Sequence, residues 1–121
     1  MAKVKILLAE DDPTMVSLLL TLLKMEGFDV VALQPDDDIP AAVFKEKPDV
    51  LLLDVHLSHQ SGLDILDVLR NSVETADARV IMTSGADVKE ECQRRGANGF
   101  LMKPYMPDDL IMILKQTINL A

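Results

Sequence analysis

Short apolar runs alternate with segments of helical periodicity along the whole chain. Five runs have the length of a strand, at residues 4–9, 28–33, 49–53, 79–83 and 99–102. Each is followed by a segment whose spacing predicts a helix, at residues 15–25, from about 40, after 62, at about 87–95 and from about 107. Strands this uniformly apolar need cover on both faces. The alternation therefore predicts an α/β fold with a parallel five-stranded sheet between two helical layers.

Local signals at the strand–helix junctions support these boundaries. Asp12 is placed to cap the first helix, Pro13 suits its first position, and Gly27 is placed to end it. Asp108 lies in the first turn of the last helix, where the helix dipole favours an acid. Precedent among doubly wound sheets of this size predicts the flavodoxin-like strand order 2-1-3-4-5.

Length and charge narrow the class of protein. A chain of 121 residues is large enough for one core and too short for two, so we predict one domain over residues 1–121. The net charge is −8, and the basic residues are scattered along the chain. We therefore expect that this domain alone does not bind nucleic acid.

The apolar segments and the cysteine content predict a cytoplasmic protein. No apolar run approaches the roughly 18 residues of a membrane span, and the start of the chain lacks a secretory cleavage pattern. The single cysteine, Cys92, excludes an intramolecular disulfide, and its charged and polar neighbours in the sequence predict a solvated helix face.

Reactive polar residues follow four of the five predicted strands. They are Glu10 and Asp11, then Asp54, Ser84 and Lys103. The carboxyl ends of parallel strands share one edge of a sheet, where ligands bind, so we expect these side chains to converge. Three carboxylates with one ammonium would leave excess negative charge, which favours a hard cation such as Mg²⁺. An aspartate nucleophile beside Mg²⁺, a lysine and a hydroxyl group is suited to phosphoryl transfer.

Four segments, in this order and at this spacing, resemble the receiver domain of two-component response regulators. They are the acidic cluster 10–12, the segment from Asp49 to Gly62 that contains Asp54, the strand end 81–85, and the segment 96–104. The resemblance covers essentially the whole chain.

This resemblance implies a role for each site residue. Asp54 would accept a phosphoryl group from the phosphohistidine of a sensor kinase or a phosphotransfer protein. Mg²⁺ would be bound by Asp11, by Asp54, by Glu10 through water and by the backbone carbonyl of His56. Lys103 would contact the phosphoryl oxygens.

The resemblance also implies a switch and an output. Ser84 would donate a hydrogen bond to the phosphoryl group, and Phe100 would turn inward as Ser84 moves. The signal would then pass through the surface of the fourth helix, fifth strand and fifth helix to an effector protein or a fused output domain.

The sequence departs from the family pattern beside Asp54. Ser58 stands where the family usually has proline, so we expect a less rigid loop, and His56 is an uncommon side chain next to a phosphoryl site. Gly85 stands in place of a frequent alanine and leaves more room beside Ser84.

Other interpretations remain open from the sequence. Asp12 is more readily a helix cap than a ligand, and Phe100 could simply pack in the core. A haloacid-dehalogenase-type phosphohydrolase also uses a strand-end aspartate, but it would have a second aspartate where this chain has His56. A flavodoxin-type carrier would place its phosphate against the acids at 10–12. A receiver that docks without being phosphorylated is the third alternative.

Overall fold

A computed structural model describes residues 3–119 as one parallel sheet flanked by five helices, with four terminal residues of the predicted 1–121 domain outside the described range. The strands are β1 (Lys5–Ala9), β2 (Asp29–Ala32), β3 (Val50–Asp54), β4 (Val80–Ser84) and β5 (Gly99–Met102). The helices are α1 (Pro13–Met25), α2 (Ile39–Glu46), α3 (Gly62–Asn71), α4 (Lys89–Arg94) and α5 (Pro107–Ile118). The strand order is β2-β1-β3-β4-β5 with every pairing parallel, so the predicted fold and order are confirmed.

The alternation of side chains along each strand divides the core into two layers. Leu51 and Leu53 of β3 face the layer that holds α2, α3 and α4. Val50 and Leu52 face the layer that holds α1 and α5. Successive strand residues point to opposite faces, and all four are buried, so β3 is covered on both sides. This central strand carries Asp54 at its carboxyl end.

Helix α1 begins as the sequence predicts. The Asp12 side chain accepts hydrogen bonds from the backbone amides of Thr14, at 3.0 Å, and Met15, at 3.4 Å, and Pro13 is the first helical residue. Gly27 follows the helix with a φ of 91°, a conformation that favours glycine. Both ends of α1 are thus fixed, and the helix starts directly after the acidic cluster 10–12.

Helix α4 is shorter than the predicted segment 87–95 and buries a residue that the sequence pattern left outside. It begins after Val88, which has no side chain able to cap the first turn. Cys92 was predicted on a solvated face, but it is fully buried in the core shared with α2 and α3. The charged residues beside it do face outward, and one turn of a six-residue helix points Cys92 at the sheet.

None of the helices within residues 3–119 combines the length and the apolar character that crossing a membrane requires.

Candidate functional site

The carboxyl edge of the sheet brings one lysine between two acids from different strands. The ammonium nitrogen Nζ of Lys103, which follows β5, lies 2.6 Å from Glu10 Oε1 and 3.0 Å from Asp54 Oδ2. Glu10 follows β1 and Asp54 ends β3, so the contact joins three strand ends. The convergence expected from the sequence is present for these three residues.

Burial makes this contact strong. Glu10 and Asp54 are only 7% and 8% exposed, so each carboxylate has lost most of its hydration. Burial by itself lowers the pKa of Lys103, but its hydrogen bonds and charge interactions with Glu10 and Asp54 outweigh that effect and raise the pKa above its ordinary value. Lys103 is therefore cationic throughout the physiological pH range.

Glu10 is held by its own chain as well as by Lys103. Its second oxygen, Oε2, accepts hydrogen bonds from the backbone amides of Asp11, at 2.9 Å, and Asp12, at 3.3 Å. The turn that follows β1 therefore wraps around this carboxylate and fixes its position.

Asp11 points toward a different element. Its Oδ2 accepts a hydrogen bond from the backbone amide of Ser58, in the loop between β3 and α3. Within residues 3–119, no three acidic, histidine or cysteine side chains are grouped so as to hold a metal ion. The predicted carboxylate ligands Glu10, Asp11 and Asp54 thus do not form a ready-made cage.

Ser84 and Phe100 occupy the neighbouring strand ends. Ser84 is completely buried, and its Oγ accepts a hydrogen bond of 3.0 Å from the amide of Ala86. Its carbonyl accepts a 2.8 Å hydrogen bond from the amide of Lys103, which ties the end of β4 to the residue after β5. Phe100 pairs with Met82 across β4 and β5 and packs, partly buried, against the core layer of α2 to α4.

Comparison with known proteins identifies the family. The family model for the response regulator receiver domain matches residues 6–115. The chain belongs to this family. The DNA-binding response regulator MtrA of Mycolicibacterium smegmatis is 31% identical over 109 residues, which cover 88% of this chain and 47% of that protein. The receiver domain spans about half the length of the curated relatives that it matches.

Solved structures share the whole fold of this receiver domain. A response regulator from Chloroflexus aurantiacus superimposes with a TM-score of 0.88 at 26% identity, over 97% of this chain and 98% of that one. The receiver domain of the sensor histidine kinase PA1611 from Pseudomonas aeruginosa, solved with a magnesium ion in its active-site cleft, gives a TM-score of 0.84 at 24% identity. It covers 97% of this receiver domain and 98% of its own chain, and at that identity it supports the fold alone.

The loop after β3 carries two features that sequence reasoning did not assign. A Cβ atom on Gly62 would lie 2.2 Å from the carbonyl oxygen of Asp54, so only glycine fits beneath this residue. The Gln60 amide nitrogen donates to the carbonyls of Pro35, at 3.3 Å, and Asp37, at 3.1 Å, in the loop before α2. The position of Gly62 in the segment that resembles a receiver domain was a signal for the first, whereas no sequence pattern marked the second.

His56 has its side chain exposed at the mouth of the site. Its backbone amide lies 3.4 Å from Asp54 Oδ1, a long hydrogen bond, and its antiparallel bridge to Ser61 turns the loop back on itself. Asp54 Oδ1 therefore has a much weaker partner than Oδ2, which contacts Lys103.

Tyr105, two residues beyond Lys103, provides a direct test of the burial around this receiver site. Burial raises its pKa to about 12, the positive charge of Lys103 opposes the shift, and the carboxylates of Glu10 and Asp54 add to it. Because Tyr105 is the single tyrosine, we expect its phenolate absorbance to titrate at about pH 12 in the folded protein and near pH 10 in denaturant.

The same shift fixes the sign of a stability change. The unfolded chain loses the phenol proton at a lower pH than the folded chain, so the free energy of unfolding should fall as the pH rises from about 10 toward 12. A folded-state titration at the ordinary tyrosine pKa would contradict the burial described here.

Proposed function

We propose that this receiver domain takes a phosphoryl group onto Asp54 from a phosphohistidine of a sensor histidine kinase or a phosphotransfer protein. The observation that carries the proposal is the buried contact of Lys103 with Asp54 and Glu10 in a member of the receiver family. The partly buried lysine supplies a fixed positive charge at the carboxylate that would receive the group.

Asp54 needs no general base for this reaction. Among residues 3–119, its Oδ1 has only the long contact with the His56 amide, while Lys103 holds Oδ2 and orients the carboxylate. One carboxylate oxygen attacks phosphorus and forms an O–P bond as the P–N bond to the donor imidazole breaks, and the electron pair stays on that imidazole. Lys103 then neutralises charge on the transferred oxygens.

The donor atoms present suit Mg²⁺. Glu10 and Asp11, which follow β1, carry three negative charges together with Asp54, and Lys103 offsets one of them. Carboxylate and carbonyl oxygens are the ligands this cation takes, and it retains waters in such sites. Asp11, Asp54 and the His56 carbonyl would hold it, with Glu10 acting through water. When bound, Mg²⁺ would neutralise phosphoryl charge during transfer.

Ser84 and Phe100 are the proposed switch residues. Ser84 lies fully buried at the end of β4, and its backbone is hydrogen-bonded to Lys103. The Ser84 hydroxyl would donate a hydrogen bond to a phosphoryl oxygen, and Phe100, now partly buried, would turn further inward. The surface of α4, β5 and α5 would carry this change to a partner.

The partners follow from the family and the charge. The curated relatives are about twice as long as this chain, which supports a downstream effector or a fused output domain as the recipient of the signal. With a net charge of −8, the receiver itself would not contact nucleic acid directly. We assign it to the cytoplasm, where the buried thiol of Cys92 would remain reduced.

Incubation with a small-molecule phosphodonor tests this function. We expect one phosphoryl group per chain, detected by intact mass, in the presence of millimolar Mg²⁺, and little or none after the metal is chelated, because the carboxylates then repel the donor. No labelling in Mg²⁺ would support a docking receiver instead, and continuous release of phosphate from an ester substrate would indicate a phosphohydrolase.

A further inference from the structure

Ser58 lies at the tip of a small hairpin between β3 and α3. The hairpin is closed by hydrogen bonds from the Gly62 amide to the Val55 carbonyl, at 2.8 Å, and from the Leu57 amide to the Gln60 carbonyl, at 3.2 Å. The bridge between residues 56 and 61 lies between them. The backbone of Ser58 is therefore presented by a closed turn and not by an open loop.

The hairpin is anchored at its base and on one side. Its base rests on Gly62, which is buried against the backbone of Asp54. On the side, the Gln60 amide is hydrogen-bonded to two carbonyls of the loop before α2. These attachments fix the direction in which the Ser58 amide points.

The Ser58 amide donates its hydrogen bond to Asp11 Oδ2, across 47 positions of the chain. The donor is a main-chain N–H, so the bond depends on residue 58 not being proline and is indifferent to the serine hydroxyl. It engages one of the carboxylates that would bind Mg²⁺ and links the turn after β1 to the loop after Asp54.

We propose that the Ser58 amide and Mg²⁺ compete for the Asp11 carboxylate, which makes Ser58 a positioning residue that weakens metal binding. The inference rests on the proposed function, in which Asp11 is a metal ligand. Mg²⁺ requires near-octahedral geometry with short metal–oxygen distances, which leaves little freedom for a carboxylate already fixed by a main-chain donor. Asp11 must release the amide to complete the site, and the hairpin tip is released with it.

Two substitutions at one position separate the amide from the side chain. Ser58→Ala keeps the N–H and should bind Mg²⁺ within about twofold of the unmodified chain. Ser58→Pro removes the N–H and should bind about tenfold more tightly, since a hydrogen bond to a charged acceptor no longer has to be broken. Calorimetric titration of the full chain with MgCl₂ measures both. Equal affinities for the two variants, or weaker binding by Ser58→Pro, would overturn the competition.

Hydrogen exchange at the Ser58 amide gives a second measurement on the unmodified protein, should proline disturb the hairpin. We expect slow exchange in chelator and an increase of at least about fivefold at saturating MgCl₂, with the Gly62 amide unchanged as an internal control. An amide whose exchange does not respond to MgCl₂ would rule the competition out. If the chain bound no Mg²⁺ at all, the proposed metal site itself would be wrong. The phosphodonor assay tests that site independently, because labelling is expected to require Mg²⁺.

Discussion

Asp54→Asn should abolish covalent labelling by a phosphodonor in Mg²⁺, a loss of at least about a thousandfold in rate, because the carboxamide is a far poorer nucleophile. The amide oxygen can still accept from Lys103, so the fold should remain. Intact-mass analysis over a time course measures the loss, and the thermal melting curve verifies the fold.

Asp12→Asn is the matched control. Asp12 caps α1 through hydrogen bonds from Thr14 and Met15, and asparagine caps a helix equally well. Labelling should stay within about twofold of the unmodified chain. Should both variants lose labelling to the same extent, the choice of Glu10 and Asp11 as the metal-site acids would be mistaken.

Gly62→Ala should give the largest loss of stability from a single added methyl group. The new Cβ would lie 2.2 Å from the Asp54 carbonyl oxygen and 2.9 Å from the Val55 Cα atom. Both neighbours are backbone atoms in a closed turn, so the chain itself must move, and we expect about 3 kcal/mol of lost unfolding free energy. Denaturant unfolding followed by circular dichroism measures it.

Gly85→Ala adds the same methyl group in open space. Apart from its two neighbours in the chain, no described residue has an atom within 4 Å of the position that the new Cβ would take, and the φ of Gly85 is not in the left-handed region. The change should therefore stay within about 0.5 kcal/mol of zero. A Gly62→Ala variant as stable as Gly85→Ala would mean that the β3–α3 turn is far more pliable than its hydrogen bonds indicate.

The fold was predictable because each strand corresponds to a short apolar run in the sequence. The run of residues 50–53 is apolar at every position, as is typical of a strand covered on both faces. In the structure its side chains lie alternately in the two core layers. The boundaries were less exact: the predicted run 28–33 narrows in the structure to the strand Asp29–Ala32.

The sequence predicts which site residues lie at the carboxyl edge of the sheet, but it does not predict the hydrogen bonds between them. Parallel topology alone brings Glu10, Asp54 and Lys103 to one edge. The hydrogen bond from Ser58 to Asp11 joins two loops, and a main-chain donor requires only that residue 58 is not proline, so the sequence does not indicate its partner. Cys92 was misplaced because its neighbours are charged, and a helix of six residues is too short for periodicity to assign its inner face.

The uncapped start of α4 makes its first turn easier to fray than the first turn of α1. With six residues and no side chain accepting from its first-turn amides, α4 has less intrinsic support than α1, which has thirteen residues, a capping aspartate and a proline at its start. Fraying of its first turn therefore breaks few bonds. We therefore expect a modest energetic bias to shift the backbone between Ser84 and α4 while the hydrogen-bonded strands stay in place.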